Sequence, residues 1–159
     1  MSDRDEHKGE LSHVDNHGNA SMVDVGDKSI QKRFAEASGL IKLAPETIKA
    51  VRKNQVKKGD VLAVARIAGI QAAKATPTLI PLCHILPLDS VHFNFDVREN
   101  SILASCQVSC QARTGVEMEA LTGVTVALLT IYDMCKAIDK KMLIEDIRLI
   151  KKLKEDLPG

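Results

Sequence analysis

The sequence predicts an α+β domain whose helices pack on one face of an antiparallel sheet, and three observations predict it. Residues 91–97 alternate strictly, with apolar side chains at odd positions, and residues 102–112 do the same at even positions; the polar stretch 98–101 joins them as a hairpin turn. Val116, Met118, Leu121, Val124, Val126, Leu128, Leu129, Ile131, Met134 and Ile138 give residues 116–138 the density of a buried helix, and no proline interrupts them. Strands and helices also alternate without the regular βαβ spacing of a doubly wound sheet.

The remaining elements follow in chain order. Residues 29–43 read as a strand, because Ser38 and Gly39 interrupt any helix. Residues 45–54 read as a short helix, with Pro45 at its start and Ile48 and Val51 three apart. Residues 57–74 read as a helix with Asp60 at the N-cap and a small-residue side that permits close packing. Pro77 and Pro81 are expected to stop it, leaving residues 76–84 as an extended strand. The organisation expected is a flexible N-terminal segment over residues 1–20, one α+β domain over 21–150, and a short tail of mixed charge over 151–159.

Composition narrows the function. The chain has 159 residues, enough for one domain with a real core. Its 22 Lys and Arg balance 21 Asp and Glu, so no global basic surface exists to capture nucleic acid. Phe34, Phe93, Phe95 and Tyr132 are the only aromatics, too few for a base-stacking platform. No signal peptide is recognisable and no membrane role is expected; Cys83, Cys106, Cys110 and Cys135 form no CxxC pair and read as reduced cytoplasmic thiols. Cys106 and Cys110 share a strand face and read as packed; no zinc-ligand spacing is found. His7, His13 and His17 fall in the polar N-terminal stretch and read as tail residues.

Two segments carry the chemistry. On an unbroken helix Asp133 and Lys136 lie three positions apart, and Glu119 falls within about 40° of Asp133. Such a stripe suits proton transfer; it equally fits a surface i, i+3 ion pair. Lys57 and Lys58 precede a helix N-terminus, where cations gain nothing from the helix dipole. A bound phosphate would explain them, and so would an ordinary solvated loop. His84, beside Cys83, reads alone as a packed core residue.

Four strings occur together and in order: MVDVGDKSIQKR at 22–33, KKGDVLAVARIAGIQAAK at 57–74, TLIPLCH at 78–84, and TGVEMEALTGVTVALLTIYDMCKAIDKKM at 114–142. They resemble the cyclic pyranopterin monophosphate synthase family, the molybdenum cofactor biosynthesis protein C, over about residues 13–142. The resemblance implies a ferredoxin-like α+β fold and a lyase without a redox cofactor. That lyase converts a cyclised dihydroguanosine triphosphate to cyclic pyranopterin monophosphate and pyrophosphate; any Mg²⁺ would arrive with the triphosphate. It implies Asp133 and Lys136 as the acid/base pair, and Leu82, Cys83, His84, Met118 and Glu119 as substrate-contacting positions. Lys58 and Arg33 are the implied triphosphate cations, with Arg113 added as a further phosphate candidate. It implies a hexamer, a trimer of dimers, with sites at subunit contacts that Arg33 could reach from a neighbouring chain. The chain departs from the pattern at Ile85, where the family usually has proline, and at its end, where RLIKKLKEDLPG replaces a glycine-rich tail that Lys151, Lys152 and Lys154 could replace as a cover. The alternatives are a non-catalytic nucleotide-phosphate-sensing oligomer, which has no use for Asp133 or Lys136, and an assembly protein in which the charged stripe is an intersubunit lattice.

Overall fold

The computed structural model describes residues 13–158. Its elements are β1 (Gln31–Lys42), α1 (Pro45–Arg52), α2 (Val61–Leu79), β2 (Leu88–Val97), β3 (Ser101–Ala112), α3 (Glu117–Cys135) and β4 (Leu143–Asp156). The four strands form an antiparallel sheet in the order β2-β3-β1-β4. With helices between β1 and β2 and between β3 and β4, this is the split, ferredoxin-like arrangement.

Strand parity builds the core. Ala35, Ala37 and Ile41 of β1 lie opposite Val108, Cys106 and Ile102 of β3, all fully buried. Ala120, Val124, Ala127, Leu128 and Ile131 of α3 are fully buried with them in one hydrophobic cluster. By length and composition alone α3 could cross a membrane, but half of that window is buried here.

Gly69 of α2 and Gly123 of α3 permit a close helix crossing. A Cβ on Gly123 would lie 3.2 Å from the Gly69 carbonyl oxygen, and one on Gly69 would meet the Phe93 ring at 2.3 Å. Phe93 of β2 thus fills the space that glycine leaves.

Three expectations change. Residues 76–79 are helical, not extended: α2 runs through Pro77 to Leu79, and the chain then turns, with the Cys83 N–H donating to the Ile80 carbonyl at 3.2 Å. Proline removes one ladder donor near the helix end, while Ala72, Ala73 and Thr76 are buried and hold the helix in register past it. The helix read over 116–138 ends at Cys135, after which the N–H groups of Ile138 and Asp139 both donate to the Cys135 carbonyl. Residues 151–156, set apart as a tail, are the second half of β4 and pair with residues 31–36 of β1.

Of the segment expected to be flexible, residues 1–12 lie outside the described residues. Residues 13–20 form a closed loop: Val14 bridges Ala20, and the Asp15 carboxylate accepts the N–H groups of His17 and Asn19 at 2.9 and 2.8 Å.

Gly69→Ala tests the packing. Alanine is the better helix former, but the methyl must displace the Phe93 ring, and overpacking of this kind costs about 1–3 kcal/mol. A denaturation midpoint below wild type is expected; an unchanged or higher midpoint would show that the ring yields freely.

Candidate active site

The structure divides the predicted site residues between the two ends of α3. At its C-terminal end, Lys136 Nζ donates to Asp133 Oδ1 at 2.7 Å, and Lys58 Nζ donates to Asp133 Oδ2 at 2.8 Å and to the Asp133 carbonyl at 3.1 Å. The two ammonium groups grip one carboxylate from opposite sides. Hydrogen bonding from Lys136 and then from Lys58 pulls the Asp133 carboxyl down to about 2, and the Lys136 ammonium is held above its ordinary value by the same bond. Asp133 is solvent-exposed, so the cluster gives geometry and charge rather than much stability.

Lys58 therefore does not stand over the N-terminus of α2. Asp60 already caps that end, its Oδ1 accepting the Ala63 N–H at 3.0 Å. A lysine next to a helix N-terminus is repelled by the dipole, and the Asp133 carboxylate offers it a better partner.

At the N-terminal end of α3 a hollow of about 150 Å³ is lined by Leu82, Cys83, His84, Met118 and Glu119, with His13 on its rim. Glu119 is only 3% exposed. Burial raises its pKa most, against a bond from its own backbone N–H, and the nearby Glu117 charge raises it further. Burial, then the Glu119 charge, also pushes the Cys83 thiol up, so it stays protonated. His84 Nε2 lies 2.8 Å from the Val23 carbonyl. A carbonyl can only accept, so Nε2 carries the proton and Nδ1 remains as the second ring nitrogen.

The helix is unbroken from Glu117 to Cys135, so Glu119 and Asp133 keep the angular alignment expected of them, but the stripe is too long to be one site. Fourteen residues of helix place Glu119 about 21 Å from Asp133 along the axis. Their surroundings differ too, because Glu119 is buried beside the loop from Leu82 to Leu86, whereas Asp133 and the lysines that hold it are about half exposed.

Arg33 belongs to the Glu119 end of its own chain. Its Nε donates to the Ala112 carbonyl at 3.3 Å, and its NH2 group donates to the Arg113 carbonyl at 3.0 Å. Burial raises the Cys110 thiol to about 11, the Asp89 and Glu119 charges raise it too, and the Arg33 charge opposes them. Arg113 is exposed at the turn into α3.

Lys152 of β4 pairs with Glu117, which itself lines the hollow. The sequence pattern marks Lys152 as a candidate cover and His13 as a tail residue, whereas the fold brings Lys152 to Glu117 and His13 to the lining of the hollow. His13 reaches the hollow through the closed 13–20 loop, which local pattern did not reveal. No group of three His, Cys, Asp or Glu side chains converges among the described residues as a metal site would need.

Glu119→Gln provides a check on this environment. A carboxyl whose folded pKa is raised loses stability as pH climbs above its ordinary unfolded value, so the amide should raise the melting temperature at pH 7 and give no gain near pH 4. Thermal unfolding at both pH values measures this; equal effects would mean that burial does not penalise the Glu119 charge.

Comparison with known proteins bears on these two clusters. The MoaC family model matches residues 22–154. The cyclic pyranopterin monophosphate synthase of Chloroflexus aurantiacus is 56% identical over 145 residues, 90% of this chain and 89% of the relative. That of Clostridium perfringens is 52% identical over 145 residues, 90% of this chain and 92% of the relative. A probable cyclic pyranopterin monophosphate synthase of Pyrococcus abyssi is 52% identical over 153 residues, 92% and 96% of the two chains. With a family model spanning most of the chain and relatives this similar over nearly their whole length, the chain belongs to the MoaC family.

Proposed function

We propose that the protein is a cyclic pyranopterin monophosphate synthase of molybdenum cofactor biosynthesis, a cytoplasmic lyase. It takes a cyclised dihydroguanosine triphosphate to cyclic pyranopterin monophosphate with release of pyrophosphate. The observation that carries this reading is the Lys58–Asp133–Lys136 cluster in a chain of this family. Forming a cyclic phosphate expels pyrophosphate, and two ammonium groups facing one exposed carboxylate supply charge for such a leaving group.

In the free chain the pair is charged on both sides at neutral pH. Asp133 is ionised far below pH 7, and Lys136 is held more firmly protonated than usual. Lys136 accordingly serves as a proton donor and charge stabiliser, and Asp133 orients it. At the other end, a protonated Cys83, the His84 imidazole and the desolvated Glu119 offer donors and acceptors to a flat, polar pterin. Arg33, Arg113 and Lys152 border that end and are the cations available to phosphate there. Any Mg²⁺ would enter with the triphosphate.

A site for this substrate draws on both clusters, which supports assembly from two chains. A hollow of about 150 Å³ is smaller than the pockets of roughly 300–1,000 Å³ that hold small molecules. Met118 and Leu129 are exposed on α3, while the hydroxyls of Thr125 and Thr130 are turned back to their own helix carbonyls. This face presents methyl groups. A second copy laid antiparallel along it, about an axis near Val126, would set Asp133 and Lys136 of one chain beside Glu119 of the other. Such a two-fold contact closes at the dimer, and the proposed hexamer needs a second, three-fold contact between three of them.

Purified protein incubated anaerobically with the cyclised substrate should release pyrophosphate. Lys136→Ala and Asp133→Asn should fold and assemble as the wild type does while turnover falls about 10²–10⁴-fold. Absence of release from folded, oligomeric wild type would turn the reading toward a phosphate-sensing oligomer.

A further inference from the structure

The most informative polar group outside the two clusters is Asp139, 7% exposed. Its Oδ2 accepts the Ala44 N–H at 2.8 Å and the Thr47 hydroxyl at 3.1 Å, and its Oδ1 accepts the Lys141 N–H at 3.1 Å. Ala44 is the N-cap position of α1 and has no side chain able to cap. Asp139 therefore supplies the cap from 95 residues away in sequence.

This remote cap joins the two segments that hold Asp133 between lysines. Asp139 stands three residues beyond Lys136, which is the C-cap of α3. From Ala44 the chain runs through α1, fixed by the buried Thr47, Ile48 and Val51, into the turn that carries Lys58. The Lys136 segment and the Lys58 segment thus meet twice, once at Asp133 and once at Asp139. Burial and then the Asp139 charge raise the Cys135 thiol to about 11, so the carboxylate is felt at the residue next to Lys136.

We propose that Asp139 is a positioning residue of the active site, its cap on α1 fixing how far apart Lys58 and Lys136 stand across Asp133. The proposal rests on the reading of that cluster as catalytic. An ionised carboxylate is required by the count of donors: three converge on its two oxygens, and an amide would aim its NH2 at one of the N–H groups. Burial works against the charged form, and the bonds from Ala44, Lys141 and Thr47 outweigh it, holding the Asp139 carboxyl below its ordinary value.

Thr47→Val, Thr47→Ser and Asp139→Asn in the full chain test this, with two readouts. One is the pH profile of kcat alongside KM; the other is the titration of the Asp133 carboxyl followed by NMR, which needs no turnover. Thr47→Val should lower kcat about tenfold with KM much less affected, since small misplacement of a reacting group is costly. Looser lysines hold Asp133 and are held by it less strongly, so its titration midpoint should rise from about 2 toward the ordinary 3.8, and the acid and alkaline limbs of the kcat profile should approach each other. Thr47→Ser keeps the hydroxyl and should restore all three. Asp139→Asn should exceed Thr47→Val in each; if it fails to fold, the Thr47 pair decides. A lower melting temperature with unmoved Asp133 titration and unmoved limbs would make Asp139 a purely structural cap and overturn the proposal. Should the wild type show no turnover, the catalytic reading falls, and the Asp133 midpoint alone decides whether Asp139 sets the lysine spacing.

Discussion

The length and continuity of α3 constrain the rest of this molecule. Nineteen residues without a proline make a rod of about 28 Å, and the Gly69–Gly123 crossing and the apolar face against β1 and β3 fix it on the sheet. A helix so held cannot bring Glu119 to Asp133. Whatever uses both must therefore be built around the rod rather than within it, and the exposed, methyl-lined face of α3 is where a second rod would lie.

The two ends of that rod create opposite electrostatics from the same residue chemistry. At the start of α3, Glu117 and Glu119 gain from the helix dipole, yet burial dominates at Glu119 and raises its pKa. Near the end, a carboxylate is disfavoured by the dipole, and Asp133 is tolerated because Lys58 and Lys136 bind it and draw its pKa down. The surroundings thus shift one acid toward its protonated form and the other toward its ionised form. Divergent environments of this kind separate acid and base roles in enzymes. The remote cap by Asp139 adds a second tie between the segments that carry Lys58 and Lys136.

Much of this was legible before the structure. The β2–β3 hairpin was read from parity alone, and Cys106 and Cys110 were placed on a buried face by the same argument. Periodicity also gave α1 and most of α3. Where the local rule fails, tertiary packing overrules it: α2 passes Pro77 because Ala72, Ala73 and Thr76 bury one side of its last turns. β4 was missed because register shifts opposite Glu36–Ala37 and Ser38–Leu40, with Asp146 at φ +60°, destroy the alternation that marks a strand. Its lysines, which suggested a solvated tail, are what an edge strand carries. Candidate site residues could be named by motif, and the fourteen-residue spacing of Glu119 and Asp133 was plain in the sequence, but which loop packs at which end of α3 was not. Contacts such as Lys58 to Asp133, or Asp139 to Ala44, span 75 and 95 residues and leave no local trace.

The central claim is that one working site takes its Asp133–Lys136 half from one chain and its His84–Glu119 half from another. Mixing Lys136→Ala protein with His84→Ala protein, each inactive alone, under conditions that exchange subunits tests it most directly. Half of randomly mixed dimers contain both chains, and in each of these one of two sites is intact, so pyrophosphate release should return to about a quarter of the wild-type rate. No recovery, with exchange verified by mass, would mean that both residues serve within a single chain and would contradict the account.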